Sequence, residues 1–169
     1  LARNIDVMPG ERAFDQIDPL GRQRLGDVAP KEVTHRRALA KAKVFMKSET
    51  TTMVANNANS KGDVLAAARF AGIQAAKSTS TLIPLCQANL VGRVDVGFEI
   101  GDDFVEVSAE VETVGRTGVE MEAISAATIA ALTIYDMCKS NDRTMSLGDI
   151  MLWEKTGGKA GVWRRSLDV

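Results

Sequence analysis

A single histidine, His35, and two cysteines, Cys86 and Cys138, are all this chain has of the residue types that most often hold metals or make disulfides. Without a Cys/His cluster a zinc site lacks its usual ligands, and no metal or other cofactor is expected. The two cysteines lie far apart and have no Cys-x-x-Cys spacing, so no disulfide framework is implied and the cytoplasm is the expected compartment. No apolar run approaches the length of a membrane span, and the first residues lack the apolar core of a signal peptide, so no membrane partner is expected. An excess of charge is missing too. The 21 basic and 22 acidic residues nearly cancel, so affinity for an anionic partner must come from local clustering, and nucleic acid is not an expected partner.

What is present is enough for one core. At 169 residues and 45% apolar, the chain reads as a single domain over 32–169, preceded by an arm over 1–31. Pro9-Gly10, Pro19, Gly21, Gly26 and Pro30 punctuate that arm and argue for an extended segment draped over the domain or a neighbouring subunit. Residues 37–47 alternate, with Ala38, Ala40, Ala42, Val44 and Met46 on one side, and period two outweighs the helix propensity of the alanines and lysines. A strand is expected there, then a short helix capped by Ser48 and running to about residue 57. Asp63 caps a second helix whose face, Val64, Leu65, Ala68, Ala71, Gly72, Ala75 and Ala76, is smooth enough for close packing. Two alternating runs, 93–100 and 105–112, flank Gly101-Asp102-Asp103 and read as a hairpin. A long helix over 119–139 and a strand over 147–154 complete the chain. The order β-α-β-β-α-β predicts an α+β, ferredoxin-like fold, with helices on one face of an antiparallel sheet.

Charged residues recur at the ends of these elements. Glu122 falls in the first turn of the long helix, where unpaired amides and the helix dipole favour a carboxylate. Asp136 and Lys139 share a face at the other end, where the dipole opposes Asp136; a surface ion pair accounts for them taken alone. Fourteen residues of helical rise separate Glu122 from Asp136 by roughly 21 Å, so one small ligand touches both only if the site is built from two subunits. Lys155-Thr-Gly-Gly-Lys159 can turn amides and ammonium groups toward an anion, although taken alone the motif is weak and a solvated glycine turn is its commoner meaning. Lys61 stands beside the second helix start. Cys86 reads as buried and inert; Met121, Met137, Met145 and Met151 as core fillers; Trp153 and Trp163 as partly buried anchors.

Six motifs carry a resemblance to a known family. They are Lys61-Gly-Asp63, Ala71-Gly-Ile-Gln-Ala-Ala-Lys77, Leu82-Ile-Pro-Leu-Cys86, Thr117-Gly-Val-Glu-Met-Glu-Ala123, Ala130-Ala-Leu-Thr-Ile-Tyr-Asp-Met-Cys-Lys139 and Lys155-Thr-Gly-Gly158. The chain resembles the MoaC family of molybdenum cofactor biosynthesis from about Phe14 to Trp163. The resemblance implies conversion of 3′,8-cyclo-7,8-dihydroguanosine triphosphate into cyclic pyranopterin monophosphate with loss of pyrophosphate. It also implies a homo-oligomer, a hexamer arranged as a trimer of dimers, with sites at subunit boundaries. By the same resemblance Lys61, Asp136, Lys139 and Lys155 are catalytic, while Leu85, Cys86, Gln87, Met121, Glu122 and Lys159 bind substrate. The chain departs from the family where Leu-Cys-His-Pro is usual and Leu85-Cys-Gln-Ala88 stands, an amide that hydrogen-bonds but does not exchange a proton near neutral pH. Phe14-Asp-Gln16, Asn59-Ser60 and Val162 depart from it as well. A working lyase is the expectation, and a paralogue that binds a pterin or nucleotide triphosphate, or pairs with an active homologue, is the alternative.

Overall fold

The computed structural model describes residues 16–18 and 20–166. Five strands form one antiparallel sheet: β1 (Thr34–Phe45), β2 (Arg93–Ile100), β3 (Phe104–Gly115), β4 (Ser146–Thr156) and β5 (Trp163–Arg164), in the order β2-β3-β1-β4-β5. Three helices, α1 (Ser48–Ala55), α2 (Val64–Leu82) and α3 (Glu120–Cys138), complete the fold. The split β-α-β order and the ferredoxin-like class are those read from the sequence, because β3 sits between β1 and β2 while α2 and α3 connect the strands.

The alternation in β1 decides its state. Ala38, Ala40, Ala42 and Val44 are fully buried toward the helices. Arg37, Lys41 and Lys43 face the other way, where neighbouring strands supply carboxylates. Arg37 bridges Glu110 and Glu154, both at 2.5 Å, and Lys41 Nζ meets Glu106 Oε1 at 2.6 Å. Each such cross-strand pair contributes a few tenths of a kcal/mol, up to about 1 kcal/mol, and only a strand places all of them in register.

The helical layer is held together by small residues. Val64, Ala68, Gly72, Ala75 and Ala76 of α2 are buried, as are Ala123, Ala126, Ala127, Ala130, Ala131 and Ile134 of α3. A Cβ on Gly72 would lie 3.0 Å from the Ala126 carbonyl oxygen and 3.3 Å from the Ala130 Cβ, so glycine sets the approach of the two helices. Among the described residues α3 is the one helix long and apolar enough to cross a membrane, and here it packs across β1, β3 and β4 and against α2.

Three local expectations change. Ser48 does not cap α1; Lys47 is the cap residue and makes no side-chain cap bond. Buried Asp142 fastens that end instead, accepting from the Lys47 amide at 2.9 Å and from Thr144 Oγ1 at 2.6 Å. Hydrogen bonding holds its carboxyl down to about 2. Strand β5 was not expected, because two residues are too few to alternate; it pairs with Glu154 and Lys155. Residues 1–15 of the expected arm lie outside the described residues. Over 16–18 and 20–31 the arm is not simply extended. It folds into a tight loop in which Ile17 pairs with Gln23 and Asp18 accepts from the amides of Leu20 and Arg22 at 2.9 and 2.8 Å.

Candidate functional site

An open cavity of about 740 Å³ lies at the N-terminal end of α3. The connection after α2 brings Leu85, Cys86 and Gln87 to one side, and the start of α3 brings Glu120, Met121 and Glu122 to another. The arm closes a third side with Gly26, Asp27, Val28 and Lys31. Five residues expected to bind substrate, Leu85, Cys86, Gln87, Met121 and Glu122, therefore meet around one space.

Glu122 is the group under most stress. It is only 2% exposed, Asn89 Nδ2 donates to its Oε1 at 2.8 Å, and no partner reaches its buried Oε2 among the described residues. Burial raises its carboxyl above the usual range, although the Asn89 bond and the first-turn amide oppose the shift, and the neighbouring Glu120 adds to it. Desolvation outweighs the helix dipole here. An acceptor left without a donor at a cavity wall is set up to take an N–H from a ligand, since an unmet buried acceptor costs about 1–3 kcal/mol.

Cys86 is half-buried on the cavity wall, not fully buried as expected. Burial, followed by the carboxylates of Glu122 and Glu120, pushes its thiol up, so it presents a neutral, weakly polar surface. Met121 is likewise on the wall and partly exposed, whereas Met145 fills the core as expected. Gln87 Nε2 donates to the Gly26 carbonyl oxygen at 2.7 Å.

Lys155 reaches this region from the sheet. It stands opposite Ala38 in the β1–β4 register, and Ala38 faces the helices, so Lys155 faces them too. Its Nζ donates to Glu120 Oε1 at 2.8 Å. The following glycines are required by the backbone: Gly157 has φ +98°, and a Cβ there would run into the His35 carbonyl. Gly158 gives its space to the Arg36 guanidinium. Lys159 is exposed in that turn and lies apart from the cavity-lining residues.

Lys61, Asp136 and Lys139 gather at the opposite end of α3. Lys139 Nζ donates to Asp136 Oδ1 at 2.6 Å, and Lys61 Nζ donates to the Asp136 carbonyl oxygen at 2.9 Å while lying 3.9 Å from Oδ2. The two ammonium groups lower the Asp136 carboxyl, and Asp136 raises Lys139, so both are charged. They also offset the adverse dipole that made Asp136 look misplaced in the sequence. Within one chain this cluster stays apart from the cavity: roughly 21 Å of helix lies between Glu122 and Asp136.

The sequence did not single out Asn89, and it showed Glu120 only as part of a motif and the arm only as a segment draped over the domain or a neighbouring subunit. Asn89 carries no spacing signal. Among the described residues no three His, Cys, Asp or Glu side chains gather as a metal site.

Comparison with known proteins gives a consistent result. The model of the MoaC family matches residues 25–158. The cyclic pyranopterin monophosphate synthase 1 of Mycobacterium tuberculosis (strain H37Rv) is 51% identical over 155 residues, 91% of each chain. The cyclic pyranopterin monophosphate synthase of Thermoanaerobacter sp. (strain X514) is 48% identical over 89% of this chain and 97% of its own. A molybdenum cofactor biosynthesis bifunctional protein of Chlorobaculum tepidum is 50% identical over 87% of this chain, which spans 47% of that protein.

Proposed function

Since the chain belongs to the MoaC family, we propose that it acts in molybdenum cofactor biosynthesis as a cyclic pyranopterin monophosphate synthase. It takes 3′,8-cyclo-7,8-dihydroguanosine triphosphate to cyclic pyranopterin monophosphate and pyrophosphate. Identity of about half to chains of that name favours a working enzyme over a paralogue that only holds ligand.

The buried, half-satisfied carboxyl of Glu122 is the observation that supports this reading most strongly. A guanine or pterin ring presents adjacent N–H groups on one edge, and Oε2 supplies the acceptor such an edge needs. Leu85, Cys86 and Met121 offer apolar and soft surface to the ring. Gln87 offers its amide oxygen.

Forming a cyclic monophosphate from a triphosphate requires an oxygen of the substrate to attack the α-phosphorus. The bond from that phosphorus to the bridging oxygen breaks, and pyrophosphate leaves with its charge. Lysine ammonium groups stabilise the developing charge, and a carboxylate removes the proton of the attacking hydroxyl. We assign this chemistry to Lys61, Asp136, Lys139 and Lys155, with Lys159 adding positive charge near the phosphates. Because Asp136 and Glu122 occupy opposite ends of α3, one site takes its cavity from one subunit and its Lys61–Asp136–Lys139 cluster from another, in a hexamer that is a trimer of dimers. The two free cysteines suit a cytoplasmic enzyme.

Mixing of inactive variants tests both activity and assembly. Glu122→Gln and Asp136→Asn chains, each assayed alone on the cyclic triphosphate, lose turnover by at least about a hundredfold. After unfolding and refolding together in equal amounts, about a quarter of the sites carry both intact groups and activity returns. Failure to regain activity would place both groups in one subunit.

A further inference from the structure

Segment 26–31 walls the cavity beside Gln16, Ile17 and Gln23 of the same arm, and two side chains of the domain hold it. Gln87 Nε2 donates to the Gly26 carbonyl oxygen at 2.7 Å. Arg116 Nη1 donates to the carbonyl of Ala29 at 2.8 Å and to that of Lys31. Between the tethers the segment is stiffened by its own bonds, from the Ala29 amide to Asp27 Oδ1 at 2.9 Å and from the Lys31 amide to the Val28 carbonyl at 3.0 Å. Gly26, Asp27, Val28 and Lys31 all line the cavity, so these bonds fasten a stretch of its wall.

We infer that Gln87 is a positioning residue: together with Arg116 it fastens segment 26–31 as the closing wall of the cavity, and it moves no proton. The argument extends the synthase reading and rests on it. A backbone carbonyl can only accept, so the amide nitrogen of Gln87 must face Gly26 and its oxygen must face away. No donor among the described residues takes up that oxygen, which leaves it as a fixed acceptor beside the cavity. The tether therefore does two things at once, closing the wall and aiming an acceptor. Neither depends on pH between about 5 and 8, because the amide does not titrate there.

The charge at Lys31 gives the wall a purpose. Held by Arg116 through its own carbonyl, Lys31 adds an ammonium to a rim whose other charged groups are Asp27, Glu120 and Glu122. Opening the wall would carry that cation away and leave only carboxyl groups among the charged side chains of the rim.

The test uses Gln87→Glu, which keeps the shape but sets a carboxylate against the Gly26 carbonyl, and Gln87→His, which keeps an N–H donor. Two readouts are taken on the full chain. Limited trypsin digestion reads cleavage after Arg24 and Lys31 and needs no activity. Steady-state turnover of the cyclic triphosphate separates KM from kcat. Gln87→Glu is expected to speed cleavage at these sites severalfold and to raise KM about tenfold while kcat falls less, as loss of one half-buried hydrogen bond implies. Gln87→His is expected to restore both, and Arg116→Met to reproduce the Glu variant. Unchanged digestion together with a collapse of kcat in Gln87→Glu would overturn the inference and put Gln87 in the chemistry. If the unaltered chain does not turn over the substrate, the synthase reading fails, while the digestion pattern still decides the tether.

Discussion

Two buried carboxyls show how one residue type is steered in opposite directions. Asp142 is surrounded by donors, from the Lys47 and Thr144 amides and Thr144 Oγ1, and stays ionised. Glu122 has one donor for two oxygens, and burial raises its carboxyl. The linkage follows. A carboxyl whose folded pKa lies above its unfolded value near 4.5 imposes no penalty below that value, and a growing one as pH rises toward the folded pKa. Glu122→Gln is therefore expected to cost less stability at pH 8 than at pH 4, because only the carboxyl carries the penalty at the higher pH, while weakening ligand binding. Urea melts at the two pH values check it, and an equal effect at both would show that Glu122 meets no desolvation penalty. A site that gives up stability in this way is what a binding role asks of it.

Among the elements, the α2–α3 contact carries the most information. Gly72 fits because the Ala126 carbonyl and Ala130 leave no room for more, and Val96 of β2 stands 3.1 Å from where a Cβ would sit. Gly72→Val should cost about 1–3 kcal/mol in urea denaturation, since backbone cannot move aside as a side-chain tip can; a variant as stable as the parent would mean that the helices separate easily. The elements were legible where periodicity was strong: β1 through Ala38 to Val44, the hairpin through Val94 to Val111, α2 through its Asp63 cap, which accepts from the Ala66 amide at 2.9 Å. Periodicity was silent on β5, on the α1 start and on the arm loop. β5 and the α1 start are fixed by partners outside their own runs, Glu154 and Asp142, and the arm loop by the side chain of Asp18 and the Ile17–Gln23 pairing, none of which a periodicity encodes. The site divides the same way. Its motif residues could be read one by one, but Asn89 and Glu120 join the candidate site only through contacts with Glu122 and Lys155.

At the scale of the whole molecule, α3 is a spacer as well as a core helix. It sets the cavity at its N-terminal end and the Lys61–Asp136–Lys139 cluster at its C-terminal end, and in the proposed assembly these are two half-sites that different neighbours complete. The account makes activity a property of the assembly and of the retained lysines and carboxylates, with an amide at position 87 as a tether. Its central claim is tested most directly by giving the purified chain the cyclic dihydroguanosine triphosphate and following pyrophosphate release alongside pterin formation. The account predicts that both products accumulate together, in equal amounts and over many turnovers. Tight binding of the triphosphate with no pyrophosphate released would contradict it.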